Sequence, residues 1–583
     1  MASIQMIEPA RRNDALLLPQ VLQRMPLGVP LACIVLAIGW LLPNHHRPWV
    51  AFHSDAWVAA SMTTMLVYVL IKSTGPYRFT ASVWALFLVS ALPWLQHFLG
   101  TIPLAGDAWV SFAYLFGFAL AAVLGELGTM HGRSGVVDFL LGAIGIAAIV
   151  SVVLQLYQWF GLTRSDGMLD IWVLFLNDSG RPYANMGQPN QLATLLLWGL
   201  IAVAWALEKR LLGPVVAVPC CALLLFGLVL TQSRTAVLTL CLLFALALFG
   251  RGWLFPRVWL WTAAVLLGFF FAFTLMLGRL GNWLLLDIES SIISRTQGES
   301  RLEAWRMFID GALARPWLGY GIDHSKQAQL EVFPKYPAMA DQLYSHAHNL
   351  FLDLVLWTGI PIGIALSYLI IRWMFQNFIA IRTRDQALLF AAVLVVGIHA
   401  MLELPLHYAY FLLPTGVMVG ALNQLGGRRK TPINFGRPYL VCIVLAAAVL
   451  LAVIARDYFR IEKSHLDLRF EAQRIGVTHK GAAPDTWLLT HWRDLIALGR
   501  DQPVPGMHAN TVDHWRDLAL YYPSPANFEK LLKALAMNGR RSEAEFWSLR
   551  TCAFIDEVTC RRISSDWRAS APVPPGLPPT SPP

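Results

Sequence analysis

Residues Tyr344–Leu354 read YSHAHNLFLDL, and they mark the point where a long polar segment gives way to a strongly apolar run. The polar segment covers residues 279–345, and the apolar run that follows is long enough to enter a membrane. His346 and His348 therefore stand at an expected membrane–water boundary. Titratable side chains at such a boundary are placed for chemistry on a membrane-held substrate, so the class of the protein decides how this stretch is interpreted.

The composition is that of a membrane protein. Of the 583 residues, 56% are hydrophobic and only 14% are charged, whereas a soluble globular protein carries about 25% charged residues. We therefore predict an all-α, polytopic fold of membrane-spanning helices. The formal net charge of +9 includes no long run of lysine or arginine. It is therefore interpreted as membrane topology, and it does not indicate nucleic-acid binding.

Apolar runs of about 20 residues predict the individual spans. By this criterion the chain has about 13 transmembrane helices, with glycine and proline blurring several of their ends. The candidates lie near residues 27–43, 56–72, 80–99, 108–125, 136–160, 190–207, 213–231, 235–250, 258–278, 347–371, 386–402, 411–425 and 438–455.

Lysine and arginine in short loops favour the cytoplasmic side of a membrane. With the N-terminus inside, the cytoplasmic loops carry most of the basic residues of the membrane part. The short loops on the other side, 44–55, 100–107 and 403–410, carry only Arg47. This orientation places the 279–345 loop and the C-terminal segment outside, which is the periplasm if the organism is a Gram-negative bacterium. In such a bacterium the membrane would be the inner membrane, with the unusual polar residues on its periplasmic face.

The predicted organisation follows from these spans. Within the large periplasmic loop, Glu299–Leu313 is predicted to form an amphipathic helix. Its apolar stripe consists of Leu302, Trp305, Phe308, Ile309 and Leu313. Cys552 and Cys560 lie in the polar C-terminal segment, where a disulfide and a pair of free thiols are both open. The parts are a cytoplasmic tail (1–26), helices 1–9 (27–278), the large periplasmic loop (279–345), helices 10–13 (346–455), a helical periplasmic C-terminal domain (456–570) and a Pro-rich tail expected to be disordered (571–583).

His346 and His348 are the first candidates for chemistry. The simpler interpretation is that histidines at a helix boundary only cap the helix or reach towards the membrane surface. The functional interpretation is that one of them acts as a general base, because neutral imidazole accepts a proton near physiological pH. A zinc site is less well supported, since the i, i+2 spacing is not that of a helical metal-binding pair and no cysteine–histidine cluster completes it. No metal ion is expected.

Arg234 and Arg301 are candidate phosphate ligands. Arg234 lies between two apolar runs at the outer membrane edge, where an arginine is costly unless it binds something or reaches the surface. Arg301 falls in the first turn of the predicted loop helix, where backbone N–H groups favour an anion. Because guanidinium groups bind phosphate oxygens bidentately, the two could hold a diphosphate. A lipid-headgroup contact, or for Arg301 a salt bridge with Glu299 or Glu303, is the alternative.

Two polar clusters at the ends of apolar runs are candidate substrate contacts. Gln188 and Asn190 precede one run, and Glu403, His407 and Tyr408 lie in a Pro-containing break between two others. Amides at such a boundary suit sugar hydroxyls or phosphate oxygens, although helix capping and turn formation account for them equally well. A carboxylate within a membrane region is a functional candidate by default, but it also serves simply to pair with an arginine or a histidine.

Together, five segments resemble the O-antigen ligase (Wzy_C) superfamily of membrane glycosyltransferases. Within it, the chain is most similar to the bacterial protein O-oligosaccharyltransferases (PglL-type). The resemblance covers residues 25–460 and rests on the order and spacing of the segments. They are RPYANMGQPNQLAT (181–194), TQSRTA (231–236), ESRLEAW (299–305) with WLGYG (317–321), SHAHNLFLD (345–353) and HAMLELPLHYAYF (399–411).

The resemblance implies a GT-C-type enzyme of the membrane that transfers a preassembled oligosaccharide from undecaprenyl diphosphate to Ser or Thr of a periplasmic protein, typically a pilin. The family's essential histidine matches His348, which is the expected base of an inverting displacement. The family's diphosphate-binding arginines match Arg234 and Arg301, and its reaction needs no metal ion, so no cofactor is expected. The residues expected to orient the base or bind substrate are His346, Asn349, Gln188, Asn190, Glu403, His407 and Tyr408.

Other functions remain as alternatives. Within the same superfamily, an O-antigen ligase would use lipid A-core as acceptor, and a Wzy-like polymerase would extend a lipid-linked glycan. A transporter of an anionic lipid is a different class, which an inverted repeat and charged residues at mid-membrane would support. The sequence shows no internal repeat, and its unusual residues gather at one face, which favours an outward-facing enzyme.

Overall fold

The computed structural model describes residues 28–130, 135–164, 171–176, 180–250, 254–284, 301–339, 343–428, 430–476 and 481–570. Within these ranges the chain forms helices joined by turns, with no strand beyond two isolated bridges, Tyr77–Phe435 and Thr80–Lys430. The all-α prediction is therefore confirmed for this part of the chain. The predicted cytoplasmic tail (1–26) and Pro-rich tail (571–583) lie outside the described residues.

The membrane part consists of apolar helices packed around one hydrophobic core, in which the rings of Trp198 and Phe411 meet edge to face at 5.3 Å. Its first helices are α1 (Gly28–Leu41), α2 (Phe52–Lys72), α3 (Ala81–Ser90), α4 (Leu92–Phe98), α5 (Ala105–Gly128), α6 (Gly135–Trp159), α7 (Pro189–Glu208), α8 (Pro214–Thr231), α9 (Arg234–Phe249) and α10 (Arg257–Trp283). After the large loop come α13 (Leu350–Thr358), α14 (Ile360–Ala380), α15 (Arg384–Ala400), α16 (Ala409–Leu425) and the first part of α17 (Arg437–Gln473).

The number of spans, predicted as about 13 from runs of about 20 apolar residues, is not confirmed. Among the described residues, nine helices are long and apolar enough to cross a membrane, with α3 and α4 counted as one. The other four predicted spans correspond to α1, α9, α15 and α16, which have 14, 16, 17 and 17 residues. Apolar composition predicted where all of these helices lie, but the last four are shorter than the about 20 residues that a membrane span needs.

The predicted span 347–371 is wrong as a single helix. Gly359 divides it into α13 and α14, with φ 82° and ψ 165°, a conformation that is essentially restricted to glycine. The WLGYG segment lies against this break, because Gly321 N–H donates to Trp357 O at 3.0 Å and Ile360 N–H donates to Pro316 O at 2.7 Å. A Cβ added to Gly359 would lie 2.3 Å from Trp317 O. The break therefore holds the large loop directly against the membrane part.

The large loop contains the predicted amphipathic helix. It is α11 (Arg301–Ala314), followed by α12 (Ser325–Val332), while residues 285–300 lie outside the described part. The predicted apolar stripe is only partly the buried face. Phe308 is fully buried beside Ala304 and Met307, but Leu302 and Leu313 are 70% and 62% exposed. Because α11 carries apolar residues on two faces, its periodicity alone did not identify the face that meets the core.

The C-terminal part is helical, as predicted, and is joined to the membrane part by a continuous helix. The 37-residue α17 runs through the predicted domain boundary at 455–456. Two of its helices meet near Gly539, whose φ is 80°, and Cys552 and Cys560 form a disulfide. The helices are α18 (Thr490–Arg500), α19 (Ala509–Tyr521), α20 (Pro525–Met537), α21 (Arg541–Cys552) and α22 (Glu557–Ala569).

Gly359→Ala is expected to destabilise the fold strongly. The added Cβ requires both a backbone conformation unfavourable for alanine and a clash with Trp317 O, so we expect a loss above about 2 kcal/mol. Gly268→Ala in α10 is the matched control, because nothing lies within 4 Å of a Cβ there. Thermal unfolding of both purified variants measures the difference. Equal midpoints for the two variants would show that the Gly359 break is not structurally required.

Candidate active site

The backbone of Leu402 fixes His348. His348 has a left-handed backbone conformation with φ 54°, and its Nδ1 lies 3.0 Å from the carbonyl oxygen of Leu402. A carbonyl only accepts hydrogen bonds, so Nδ1 carries the proton in this contact. In the neutral ring, Nε2 is then left with a free lone pair. The half-buried His348 therefore has the tautomer that a general base requires.

Electrostatics keep both histidines of the pair neutral. Burial is the main cause that lowers the pKa of His348, and the positive charge of Arg301 lowers it further, while the Leu402 carbonyl and Glu403 oppose the shift. Burial lowers the pKa of His346 to about 2, with repulsion from His348, His407 and Arg301 in the same direction. The two rings are 4.0 Å apart, so a proton on one strongly disfavours a proton on the other.

The loop that carries His346 and His348, called the histidine loop below, is held by α11, α12 and α13. Asp353 accepts hydrogen bonds from Ala347 N–H at 2.9 Å and from the Ser325 hydroxyl at 2.8 Å. Trp305 Nε1 donates to Ala347 O at 2.9 Å. Asn349, predicted to orient the base, caps α13 by accepting from the N–H groups of the two residues after Leu350. Its observed contacts are those of a helix cap, which positions His348 only through the backbone.

Glu403 connects two of the predicted polar clusters. Its carboxylate accepts from Gln188 Nε2 at 2.7 Å and from Asn190 Nδ2. His399 Nε2 lies 3.4 Å from the same carboxylate, while its Nδ1 is 2.7 Å from the Thr194 hydroxyl. Burial opposes ionisation of Glu403, but the contacts with His399 and Asn190 outweigh it and lower its pKa. Glu403 is therefore a fixed anion directly after the residue that orients His348.

Arg181 links this cluster to the TQSRTA segment. Its Nε donates to Thr231 O at 2.8 Å, and its guanidinium lies 3.4 Å from Asn190 Oδ1. Three residues after Thr231, the half-buried Arg234 begins α9, whose N-terminus Ser233 caps through Ala236 N–H at 3.3 Å. The start of the TQSRTA segment is thus tied to the site through Arg181, Asn190 and Glu403, whereas Arg301 lowers the pKa of both histidines.

His407 and Tyr408 have different surroundings. His407 Nδ1 lies 3.0 Å from Asp323 Oδ1, and its ring is 5.4 Å from that of Trp357. Tyr408 stacks on Tyr410 at 5.2 Å. His407 faces the histidine loop closely enough to repel a proton on His346. Of the predicted residues, the structure therefore brings His346, His348, Arg301, Glu403 and His407 together.

Sequence reasoning missed several residues that build the site. Gln158 in α6 accepts from Tyr183 N–H at 2.9 Å and from Ala184 N–H at 2.7 Å, and so holds the 181–190 loop. Two glutamines within one apolar run, at 155 and 158, were a visible signal of such a role. The i, i+4 spacing of His399 and Glu403 was a second signal. Asp323 had no local signal, because its partner His407 lies 84 positions further along the chain.

Within the described residues, no group of three or more His, Cys, Asp or Glu side chains is arranged to hold a metal ion. The polar groups of the site instead supply positive charge and one neutral base. Arg301, His407 and Asp323 lie close enough to His346 to influence its protonation, and Arg301 also helps to keep His348 neutral. Such an arrangement suits the binding of an anionic group beside a base, because cations attract the anion while the base stays unprotonated.

Three protein families match parts of the chain. The family described as "O-Antigen ligase" matches residues 219–367, which contain Arg234, Arg301 and His348. The family described as "Protein glycosylation ligase" matches residues 182–207, and "Virulence factor membrane-bound polymerase, C-terminal" matches residues 387–559. Together the three matches contain the polar cluster of Gln188 and Asn190, the polar cluster of Glu403, and the histidine loop.

Two curated relatives come from Acinetobacter baylyi. The chain is 26% identical over 534 residues to a protein named "General O-oligosaccharyltransferase", covering 88% of this chain and 90% of the relative. It is 29% identical over 348 residues to a "ComP-specific O-oligosaccharyltransferase", covering 58% of this chain and 61% of the relative. The first similarity extends over nearly the whole chain, including the C-terminal helices.

Glu403→Gln is expected to destabilise the protein by about 1–3 kcal/mol, because the new amide turns an N–H group towards donors that need an acceptor. Glu331→Gln is the matched control. Glu331 pairs with Arg315 at 2.8 Å, but their side chains are 37% and 50% exposed, so we expect a change of only about 0–1 kcal/mol. Denaturant unfolding of the purified variants gives both values. A Glu403→Gln protein as stable as Glu331→Gln would contradict the connecting role of Glu403.

Proposed function

We propose, from its membership of the O-antigen ligase superfamily and its protein glycosylation ligase segment, that this chain is a protein O-oligosaccharyltransferase. It transfers a preassembled oligosaccharide from a lipid diphosphate to Ser or Thr hydroxyls of a protein. Near full-length similarity to a general O-oligosaccharyltransferase supports the reaction type. The observation that carries the proposal is the geometry of His348, whose Nδ1 is bound by Leu402 O and whose Nε2 is left as a base.

In the proposed reaction, the acceptor hydroxyl gives its proton to Nε2 of His348 as its oxygen attacks the anomeric carbon. The bond between this carbon and the diphosphate oxygen breaks, and the electron pair leaves with the lipid diphosphate. Attack opposite the leaving group inverts the configuration at the anomeric carbon. Arg301 and Arg234 offset the charge that develops on the diphosphate, which is electrostatic stabilisation and not acid catalysis. Gln188, Asn190, Glu403 and Tyr408 are proposed to position the sugar or the base.

The donor is proposed to be undecaprenyl diphosphate-linked glycan in a bacterial inner membrane, and the acceptor a periplasmic protein such as a pilin. The multi-pass helical fold agrees with a lipid-linked donor. The disulfide between Cys552 and Cys560 supports an oxidising compartment for the C-terminal part, because such bonds are rare in the cytosol. The short loops on the same side as the site carry few basic residues, which favours the same orientation.

A second function is favoured by specific matches. Residues 219–367 and 387–559 match an O-antigen ligase family and a membrane-bound polymerase family, so lipid A-core or a growing glycan is the rival acceptor. The chemistry at His348 would be the same in each case, since all three acceptors present a hydroxyl group. The reaction at the site and the choice of acceptor are therefore separate questions that need separate measurements.

His348→Ala is expected to abolish glycan transfer, because the acceptor hydroxyl loses its base. His97→Ala is the matched control, since His97 also donates from Nδ1 to a backbone carbonyl, Ile102 O at 2.7 Å, but lies outside the site. Both variants are expressed with a lipid-linked glycan pathway and a candidate acceptor protein in cells lacking their own transferase. Mass spectrometry detects glycan on Ser or Thr of the acceptor. Transfer by a folded, membrane-inserted His348→Ala protein would exclude His348 as the base, and glycan found only on lipid A-core would exclude the protein acceptor.

The pH dependence of transfer provides a separate test. His348 acts in its neutral form, and its pKa lies below 6.5 because burial and Arg301 both disfavour the charged ring. Activity should therefore persist below pH 6.5 and fall only as the pH drops through the lowered pKa. The measurement is kcat/KM of the purified enzyme against pH with a lipid-linked donor. An acidic limb with its midpoint at or above pH 6.5 would contradict the lowered pKa.

A further inference from the structure

Asp323 and His407 form an ion pair that the proposed reaction does not use. Nδ1 of His407 lies 3.0 Å from Oδ1 of Asp323, and a carboxylate accepts, so Nδ1 is the donor. The contact fixes the orientation of the imidazole ring, so Nε2 is the nitrogen that remains to bind a ligand. No other side chain of the described residues forms a hydrogen bond with this ring, although the Trp357 ring lies beside it at 5.4 Å.

The loop that carries Asp323 is fixed from both sides. Asp323 has a left-handed backbone with φ 69°, a conformation that few residues other than glycine adopt and that aspartate tolerates comparatively well. On one side, Ile322 N–H donates to Gln96 Oε1 at 3.1 Å. On the other side, the His324 ring meets the Tyr521 ring of α19 edge to face at 4.5 Å. Asp323 is thus oriented by the membrane part and by the C-terminal helices together.

The charges around His407 favour its protonated form. Asp323 from the loop and Asp353 from α13 attract the proton, and together they outweigh burial and raise the pKa of His407. Asp323 is itself kept ionised, since its side chain is 61% exposed and the nearby His407, His324 and Lys326 lower its pKa. His346 is the facing group of like charge, and its own pKa is strongly lowered. His407 is therefore the one of these three histidines whose surroundings favour the protonated ring.

We infer that Asp323 is a positioning residue that holds His407 as an imidazolium, with its Nε2–H directed at the diphosphate of the lipid-linked donor. The inference rests on the proposed function and adds one cation to the arginines already assigned. Arg301 lies one turn before Trp305, which donates to Ala347 O beside His346. His407 packs on Trp357, one turn after the Asp353 that accepts from Ala347 N–H, so both groups border the loop that carries His346. Two cations converging on one space form an anion site, and a charged N–H donor binds phosphate more strongly than a neutral one does.

Binding of undecaprenyl diphosphate to the purified full-length chain in detergent tests this inference without requiring transfer. Near pH 7, Asp323→Asn should bind about tenfold more weakly than the unchanged protein, the order expected when one charged hydrogen bond is lost. Towards about pH 5 the ratio should shrink to about twofold, because His407 regains its proton even without Asp323. Taking the ratio at each pH cancels the ionisation of the lipid itself.

Three further variants separate this role from a merely structural one. Asp323→Glu keeps a carboxylate and should restore most of the affinity at pH 7. His407→Gln keeps a donor but no charge, and it should bind weakly at every pH. Asp310→Asn is the matched control, because Asp310 is a carboxylate of the same large loop that accepts from a tyrosine, the Tyr336 hydroxyl at 2.9 Å. It should bind as the unchanged protein does.

The inference is overturned if Asp323→Asn binds with unchanged affinity, or if its loss of affinity is the same at every pH. Either result would restrict Asp323 to a structural role. Failure here is distinct from failure of the proposed function. A chain that binds the lipid diphosphate with the expected pH dependence but glycosylates no protein would retain the Asp323–His407 pair and lose only the protein acceptor.

Discussion

The hydrogen bond from His348 Nδ1 to Leu402 O is the contact on which the site depends, because it joins segments 54 residues apart. One segment is the loop that carries the histidine pair. The other is the α15–α16 connection, whose next residue is Glu403, the acceptor for Gln188 and Asn190. A backbone carbonyl cannot be replaced by changing a side chain, so this contact is set by the path of the chain. The ring tautomer of His348 is consequently a property of the fold.

The path of the chain at this point depends in turn on the close contact between the WLGYG segment and the α13–α14 break. Backbone hydrogen bonds join the two, and Gly319 and Gly359 each lie where a Cβ would meet backbone atoms of the other segment. Backbone-to-backbone contact of this kind permits little sliding. The large loop therefore cannot move far from α13 without breaking several hydrogen bonds, and the His346–His348 pair is carried on a rigid support.

The sequence predicted the fold class and most helices because apolar length and composition act locally. It also proposed His348, Arg301, Glu403 and His407 as site residues, since titratable groups next to apolar runs are conspicuous and the family resemblance singled out His348 and Arg301. It did not predict the break at Gly359, because a glycine turn leaves the apolar composition of 347–371 unchanged. The exposed face of α11 was misjudged for a related reason. Leu302 and Phe308 are equally apolar, and only tertiary packing decides that Phe308 is buried.

Pairings between distant residues are the part that sequence patterns do not contain. Asp323 follows a glycine-rich turn and has the composition of any turn aspartate, so nothing local distinguishes it from a residue that merely ends a loop. Its ion pair with His407 depends on the docking of that loop against α13 and against Tyr521. The same limit applies to Gln158, which was visible as a polar residue in an apolar helix, but whose partners lie in another loop.

A site of this kind must satisfy two opposed electrostatic demands. Cations that hold a diphosphate also weaken a nearby base, and Arg301 does lower the pKa of His348. The Leu402 carbonyl and the Glu403 carboxylate act in the opposite direction, so the imidazolium that forms when His348 takes a proton has a bound acceptor and an anion beside it. Glu403 can supply this negative charge only while it is ionised, and the groups that donate to it favour the ionised form. The amide-rich segment near Asn190 therefore influences the base through Glu403, even if it never touches a substrate.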